Sequence, residues 1–491
     1  MQRQFLKQSF ILNQLIVVCG IGLLLGMAIV WIPLTFLLIG IAGIVFVIIA
    51  WLWPEIAILG ILVLTSTVFD MNVLPSISIG FGHILIPDIL LFVFIGIIFL
   101  RILLRSSSFI HTPLDIPLLA FYVTALIATA AGIFNSRMTF NESLGEVRLV
   151  NFLLTFFIVT NLVRNEKQLR RLYVGIVSLA IFVALAMIAQ YALGTAVQIL
   201  PGRVETLGTA GVTSYGVTRI LPPGQSLVLL VLVCLVVQML FDKKSSRFMI
   251  YIIQLGIVGV AVLLTFNRSF WAAIFFALVL VGVLVSLRDK VKLFNIALGI
   301  VIIGALILIP FLAINKGGAV GKVIDGFTLR MSTLLNPDIT QEDSLKYRYI
   351  ENAYAYPQIA SHPLIGLGLG ANYRPEDVRL SGTYAYYIHN GHLWVILKTG
   401  LIGYLFLMWF LLLYIKRAIQ NWKRIPDPIL KGIVFSLAVT IVGVLVATIV
   451  NPIFEQDFWT PVIGIMLGMG EVILRIYRDP PLDVQKLEKL V

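Results

Sequence analysis

Runs of about twenty consecutive apolar residues recur along nearly the whole of this chain, each long enough to cross the roughly 30 Å hydrocarbon core of a bilayer as a helix. Inside lipid no backbone polar group can be left unpaired, so such runs have to be helical. The repetition alone sets the fold class: an all-α polytopic membrane protein. Composition agrees with it. Of 491 residues, 59% are hydrophobic and 12% charged, about half of the roughly 25% charge of a soluble domain. Mean hydropathy is +1.01.

The polar interruptions divide the chain into about 14 transmembrane helices, near 11–30, 34–53, 55–70, 84–104, 115–134, 149–163, 171–193, 222–241, 248–266, 270–287, 293–314, 391–415, 430–450 and 459–476. MQRQFLKQSF at the N-terminus is followed by no small-residue cleavage site after its apolar run, so that run reads as a retained first helix. The net charge of +12 points to membrane lipids and topology rather than nucleic acid, because of where the charge lies. With both termini cytoplasmic, 23 of the 36 Lys and Arg fall in or beside the inner segments, as the positive-inside rule expects. Cys19 and Cys234 both sit within apolar runs and imply neither a disulfide nor a Cys-based metal site. Three regions follow: a membrane scaffold over 1–193, a chemistry-bearing region over 194–430, and two further spans with a tail over 431–491.

The remaining basic residues carry information. Seven lie in a long outer loop, 316–390, and Lys398 falls inside a span. Arg137, Arg148, Arg203, Arg219 and Arg268 belong to the outer side, and none of these five is a lysine. Arg is favoured where a planar donor fork grips a phosphate; the alternative is ordinary pairing with lipid headgroups or carboxylates. Arg268, in LLTFNRSFWAA, sits between two spans joined by almost no loop, where an ionisable residue is a functional candidate or a snorkelling side chain. Lys398 is either buried and paired or lines a polar cavity.

Three loops face the same side. NSRMTFNESLGEVR (135–148) adds Glu142, Glu146 and Arg148. Gly-rich 194–221 reads as a lid or a connector. Loop 316–390 is too long to lack internal structure, and DSLKYRYIENAYAYPQIASHP (343–363) reads as a helix with Asp343 or Ser344 at its cap and Pro363 past its end. Eight of the sixteen tyrosines lie in that loop, which suits stacking on sugar rings as well as an interfacial aromatic belt.

The polar cluster His389-Asn390-Gly391-His392 stands where this loop enters a span. A metal pair would need a third ligand, and His362 is the only other nearby His. A capping His is a second reading. A general base is the third and leading reading, since His as a residue type can take a proton from an acceptor hydroxyl near neutral pH. Asn390, His392, Lys398 and Tyr347 are candidate supports. Arg348 has a competing partner in Glu351, three residues on.

Three blocks together resemble the O-antigen ligase and polysaccharide polymerase superfamily. TFNRSFWAA (265–273) is similar to its intramembrane Arg motif, YRYIENAYAYPQIASHPLIGLGLGANY (347–373) to its loop helix and glycine tract, and HNGHLWVILKTGLIGYLFL (389–407) to its His-Asn motif and following helix. The resemblance covers roughly 200–420. Asn267 departs from it, standing where many relatives carry a small hydroxyl residue. What the resemblance implies is a GT-C-like fold and a metal-independent, inverting glycosyltransferase without cofactor, working at the outer face of the plasma (inner) membrane. The donor would be a glycan on undecaprenyl pyrophosphate, and the acceptor a glycan or lipid A core hydroxyl. Arg268 and Arg348 would hold the pyrophosphate, with Arg203 and Arg219 adding contacts, and His389 would activate the acceptor. The alternative function is a transporter of the lipid-linked oligosaccharide.

Overall fold

A computed structural model describes residues 34–478 apart from 72, 74–75, 79, 81, 106–107, 207–216, 300–318, 336–342 and 381–383. The expected first span at 11–30 and most of the one at 293–314 lie outside the described residues. Eight helices among those described are long and apolar enough to cross a membrane, and four shorter apolar helices stand at Gly40–Leu52, Pro54–Thr65, Gln225–Phe241 and Arg268–Leu284. The fold is that of a polytopic helical membrane protein.

The helices that matter for the site are α1 (Leu34–Leu52), α2 (Pro54–Thr65), α3 (Ile86–Leu103), α4 (Asp115–Phe134), α5 (Phe140–Asn151), α6 (Thr155–Leu162), α7 (Glu166–Leu193), α8 (Gln225–Phe241), α9 (Ser245–Leu264), α10 (Arg268–Leu284), α11 (Ala319–Leu335), α12 (Asp343–Ser361), α13 (Gly391–Asn421), α14 (Pro428–Thr448) and α15 (Thr460–Arg478). Their arrangement follows from which faces are apolar all round. In α8 every residue from Gln225 to Leu240 is buried, and α14 is buried along most of its length. A helix apolar on every side belongs at the centre. Helix α14 packs along both α8 and α10, α13 along α4, and α15 along α6. The flanking helices leave large apolar side chains exposed, among them Ile44 on α1, Phe99 on α3 and Val283 on α10, as lipid-facing surfaces do. Between helices that lipid surrounds, small residues set the approach. A Cβ on Gly443 would stand 2.2 Å from the Ala273 carbonyl oxygen, so α10 and α14 touch backbone to backbone.

Three expected loops have more structure than the sequence shows. The stretch 135–148 is half helix: Thr139 caps α5, its hydroxyl accepting from the Glu142 amide while the Glu142 carboxylate accepts from the Thr139 amide. This is a capping box. Helix α5 continues through a 3-10 turn into α6, so the expected span at 149–163 begins nearer 140. The stretch 194–221 contains a hairpin, β3 (Arg203–Thr206) paired antiparallel with β4 (Thr218–Leu221). A second hairpin, β1 (Ser76–Ser78) with β2 (His83–Leu85), precedes α3. In the long loop, α12 forms over 343–361 as expected, with Pro357 inside it, and α11 precedes it.

The tract Pro363-Leu364-Ile365-Gly366-Leu367-Gly368-Leu369-Gly370 is the most constrained part of that loop. Gly366, Gly368 and Gly370 all have positive φ (78°, 98° and 94°). The tract threads between α4, α5 and α13 so closely that a Cβ on Gly368 would lie 2.7 Å from the Ala128 carbonyl oxygen and one on Gly370 2.7 Å from that of Glu142. Its amides need partners in so dry a setting, and α13 supplies them by breaking. At Gly400 (φ 68°, ψ −178°) the helix is interrupted. The freed Leu397 and Lys398 carbonyls accept from the Leu367 and Gly368 amides at 2.8 and 3.0 Å, and the Leu401 amide donates to Pro363 at 2.8 Å.

Candidate active site

Asn390 caps α13: its side-chain oxygen accepts from the His392 and Leu393 amides at 3.0 and 3.1 Å. Asn is a preferred N-cap because it satisfies amides that have no helical partner. The cap fixes where His389 leaves the loop. His389 Nδ1 lies 2.8 and 3.0 Å from the two carboxylate oxygens of Glu351 on α12, and its backbone amide donates to the same carboxylate at 2.9 Å. The Glu351 side chain has no solvent exposure, while that of His389 is 26% exposed. The ring of Tyr387 meets His389 edge to face at 4.9 Å. Glu351 thus faces His389, not Arg348; the pairing expected from helix spacing gives way to a longer-range contact.

His392 has a different setting. Its Nε2 is 2.9 Å from the Leu445 carbonyl on α14, and its ring packs against Tyr404 and Phe454. One histidine at this junction tethers helices and the other presents a ring edge to the surface.

Arg348 donates from Nε and Nη2 to the Val450 carbonyl at 3.2 and 3.0 Å. The next residue, Asn451, donates from its side chain to the Ser269 hydroxyl, and its carbonyl accepts from the Gly391 amide at 3.3 Å. Ser269 in turn donates to Asn267 Oδ1 at 2.5 Å, and Asn267 is the N-cap of α10. Asn267 therefore has a definite task at the position where it departs from the family pattern. Phe266 before it has a φ of 45°, a left-handed conformation costly for a bulky residue. That tight turn brings Arg268, half-buried, to the first position of α10. The Val450–Asn451 segment is the hub: Ser269 next to Arg268, Arg348 of α12 and the start of α13 beside His389 all bond to it.

Arg219 and Arg203 stand on the hairpin. Arg219 Nε donates to the Thr265 carbonyl at 3.0 Å and Nη1 to Glu205 at 3.1 Å, while Arg203 pairs with Glu205 at 2.9 Å. Burial, reinforced by Arg330 nearby, pulls the Arg219 guanidinium down to about 10. Arg219 thus braces the turn that carries Arg268; Arg203 is the more exposed. Arg148 is engaged elsewhere, at 2.8 Å from Asp88. Tyr347 lies on α12, 38% exposed.

Lys398 is buried and paired. Its Nζ is 2.9 Å from Glu146 Oε1 and donates to the Ala371 carbonyl at 2.7 Å. Between this pair and the His389–Glu351 pair sits Glu455, whose carboxylate accepts from the Ile388 amide at 3.4 Å. Burial, and the neighbouring Glu146 carboxylate, push the Glu455 carboxyl well above the usual range.

Sequence reasoning missed Asn451, Glu455 and the true partner of Glu351. NPIFEQ (451–456) reads as a connector between the last two spans, and nothing in its spacing links it to residues 60 to 190 positions away. Its one signal is polarity: an Asn and a Glu beside long apolar runs.

The fold and site define a class: a polytopic helical membrane protein with a histidine–carboxylate pair, arginines on neighbouring elements and a glycine tract wedged into the bundle. Residues 253–408 match the family model described as O-antigen ligase. That stretch, which holds Arg268, Arg348 and His389, is similar to O-antigen ligases. No curated protein matches the chain.

Proposed function

We propose that the protein transfers a glycan from undecaprenyl pyrophosphate to the hydroxyl of an acceptor sugar, as an O-antigen ligase or polysaccharide polymerase does. The single observation that carries this reading is the hub at Val450–Asn451, to which all three family-like blocks bond. A pyrophosphate is already a good leaving group, so catalysis requires neutralising its growing charge and orienting the nucleophile. Arg268 and Arg348 serve the first need, with Arg219 holding the turn from behind and Arg203 at the rim. His389 serves the second. The acceptor oxygen attacks the anomeric carbon and forms the new glycosidic bond. Its proton passes to His389, and the bond to the pyrophosphate oxygen breaks with inversion as the lipid pyrophosphate leaves. The site then stands at the outer face of the plasma membrane, the scaffold is GT-C-like, and no metal takes part.

The test uses protein purified in detergent, the undecaprenyl-pyrophosphate-linked glycan of the native pathway and a panel of acceptor glycans including lipid A core. Release of lipid pyrophosphate is followed for wild type, His389→Ala and Arg268→Ala, with and without EDTA. Transfer that survives EDTA and is lost in both variants supports the reading. Transfer by His389→Ala overturns the assignment of the base. Movement of the intact lipid-linked glycan across liposomes without transfer overturns the enzyme.

A further inference from the structure

We infer that Glu351 is a positioning residue that fixes the tautomer and direction of His389, so that Nε2 faces the acceptor hydroxyl. The inference rests on the glycan-transfer reading for the identity of that hydroxyl. The geometry itself does not depend on it.

One carboxylate holds both the ring and the main chain of His389. Glu351 Oε1 is 2.8 Å from Nδ1, and Oε2 is 3.0 Å from Nδ1 and 2.9 Å from the backbone nitrogen. A carboxylate only accepts hydrogen bonds, so Nδ1 carries the proton of the neutral ring and Nε2 is left bare. The three contacts set the ring's direction as well. Nδ1 points into the fold at a wholly buried Glu351, Tyr387 limits rotation about the side-chain axis, and Nε2 lies on the opposite edge of the ring. When the ring takes a proton, the product is an imidazolium hydrogen-bonded to a carboxylate already in place, which needs no rearrangement at the moment of transfer. This is the division of labour of a base and its orienting acid.

The surroundings leave Glu351 to this task. Arg348, one turn away on the same helix, directs two donors at Val450 instead. Among the described residues, the other titratable groups around the pair include Tyr373 in the long loop, Tyr387 on the segment before α13, Glu455 on the turn after α14, and Arg203 on β3. None of them hydrogen-bonds the His389 ring among the described residues.

The test compares wild type with Glu351→Gln and Glu351→Asp. Gln keeps the size and an acceptor for the backbone amide but no longer demands a proton on Nδ1. Two readouts are taken: kcat and KM of transfer, and carbethoxylation of His389 by diethyl pyrocarbonate across pH, quantified by peptide mass spectrometry. For Glu351→Gln, kcat falls roughly 10²-fold with KM little changed. Carbethoxylation of Nε2 slows several-fold at each pH, because a Gln amide N–H facing Nδ1 lets the ring proton move to Nε2. Glu351→Asp keeps an acceptor-only partner and restores part of kcat and of the carbethoxylation rate. If Glu351→Gln elutes as aggregate, the Asp variant carries the test: a carbethoxylation rate tracking its kcat supports the inference, and a lost kcat with a wild-type rate overturns it. A wild-type kcat in Glu351→Gln, or an unchanged carbethoxylation profile, overturns the inference. Carbethoxylation needs no substrate, so it separates this inference from the reading it rests on. A wild type that fails to transfer removes the glycan-transfer reading, while the profile still decides what Glu351 does to His389.

Discussion

Lys398 Nζ lies 2.9 Å from Glu146 Oε1, and both side chains are almost wholly buried. The contact joins the first turns of α13 to α5, and the same carboxylate accepts from the Gly370 amide at 2.5 Å. One ion pair thus clamps the glycine tract between two helices. Breaking a buried pair by removing one partner leaves an uncompensated charge, at a cost of roughly 3–5 kcal/mol. Lys398→Met is expected to lower the thermal unfolding midpoint markedly in fluorescence-detected size exclusion. Adding Glu146→Gln, which keeps an acceptor for Gly370, should recover most of the loss. A double variant no better than the single one would show that the pair is not the clamp.

Gly400 gives a sharper steric test. Its φ of 68° and a would-be Cβ 2.1 Å from the Leu364 carbonyl oxygen leave no room for a side chain. Gly400→Ala should abolish or severely reduce the yield of monodisperse protein, because the break in α13 and the tract that fits it form together. Gly256, in the middle of α9 with nothing within 4 Å of its Cβ position, is the control. Gly256→Ala should be neutral or stabilise by up to ~1 kcal/mol. Equal behaviour of the two variants would remove the tract–helix interlock.

These two positions show what the sequence made legible. Apolar runs of sufficient length locate the spans within the described residues, because lipid leaves the backbone no other choice. The motifs around Arg268 and His389 were visible as polar residues where polar residues are costly. The interruption of α13 was not, since GLIG within an apolar run reads as continuous helix until the tract that bonds it is known. Glu351 is visible only as a competing partner of Arg348, its helical neighbour. Spacing ranks contacts within one element, and the contact that formed spans 38 positions. Asn451 had no local signal beyond its polarity between two apolar runs.

Asn451 supplies the test of the hub. Its side chain holds Ser269, and through Ser269 the cap of the turn that presents Arg268. Asn451→Ala and Ser269→Ala should each lower kcat/KM for transfer, by roughly tenfold if the loosened turn misplaces the guanidinium. Because both changes break one network, the double variant should lose little more than either single one, giving a coupling of ~0.5–3 kcal/mol in the cycle. Strictly additive losses would mean that the two residues act separately.

Asp457 is expected to make the stability of the hub loop depend on pH. It follows the hub in the loop between α14 and α15, where burial, with the Asp70 carboxylate adding to it, raises its carboxyl to about 6. The folded protein therefore holds a proton that the unfolded chain releases near pH ~4. A group whose folded value is raised favours the fold most below the unfolded value and loses that contribution as pH rises through about 6. Above that point the fold carries a half-buried charge beside Asp70. Asp457→Asn removes the charge but keeps the shape. At about pH 8 the variant should unfold at a higher temperature than wild type, and the gap should close as pH falls through about 6 towards about 4. A gap that stays constant over that range would show that Asp457 acts through its hydrogen bonds and not through its charge.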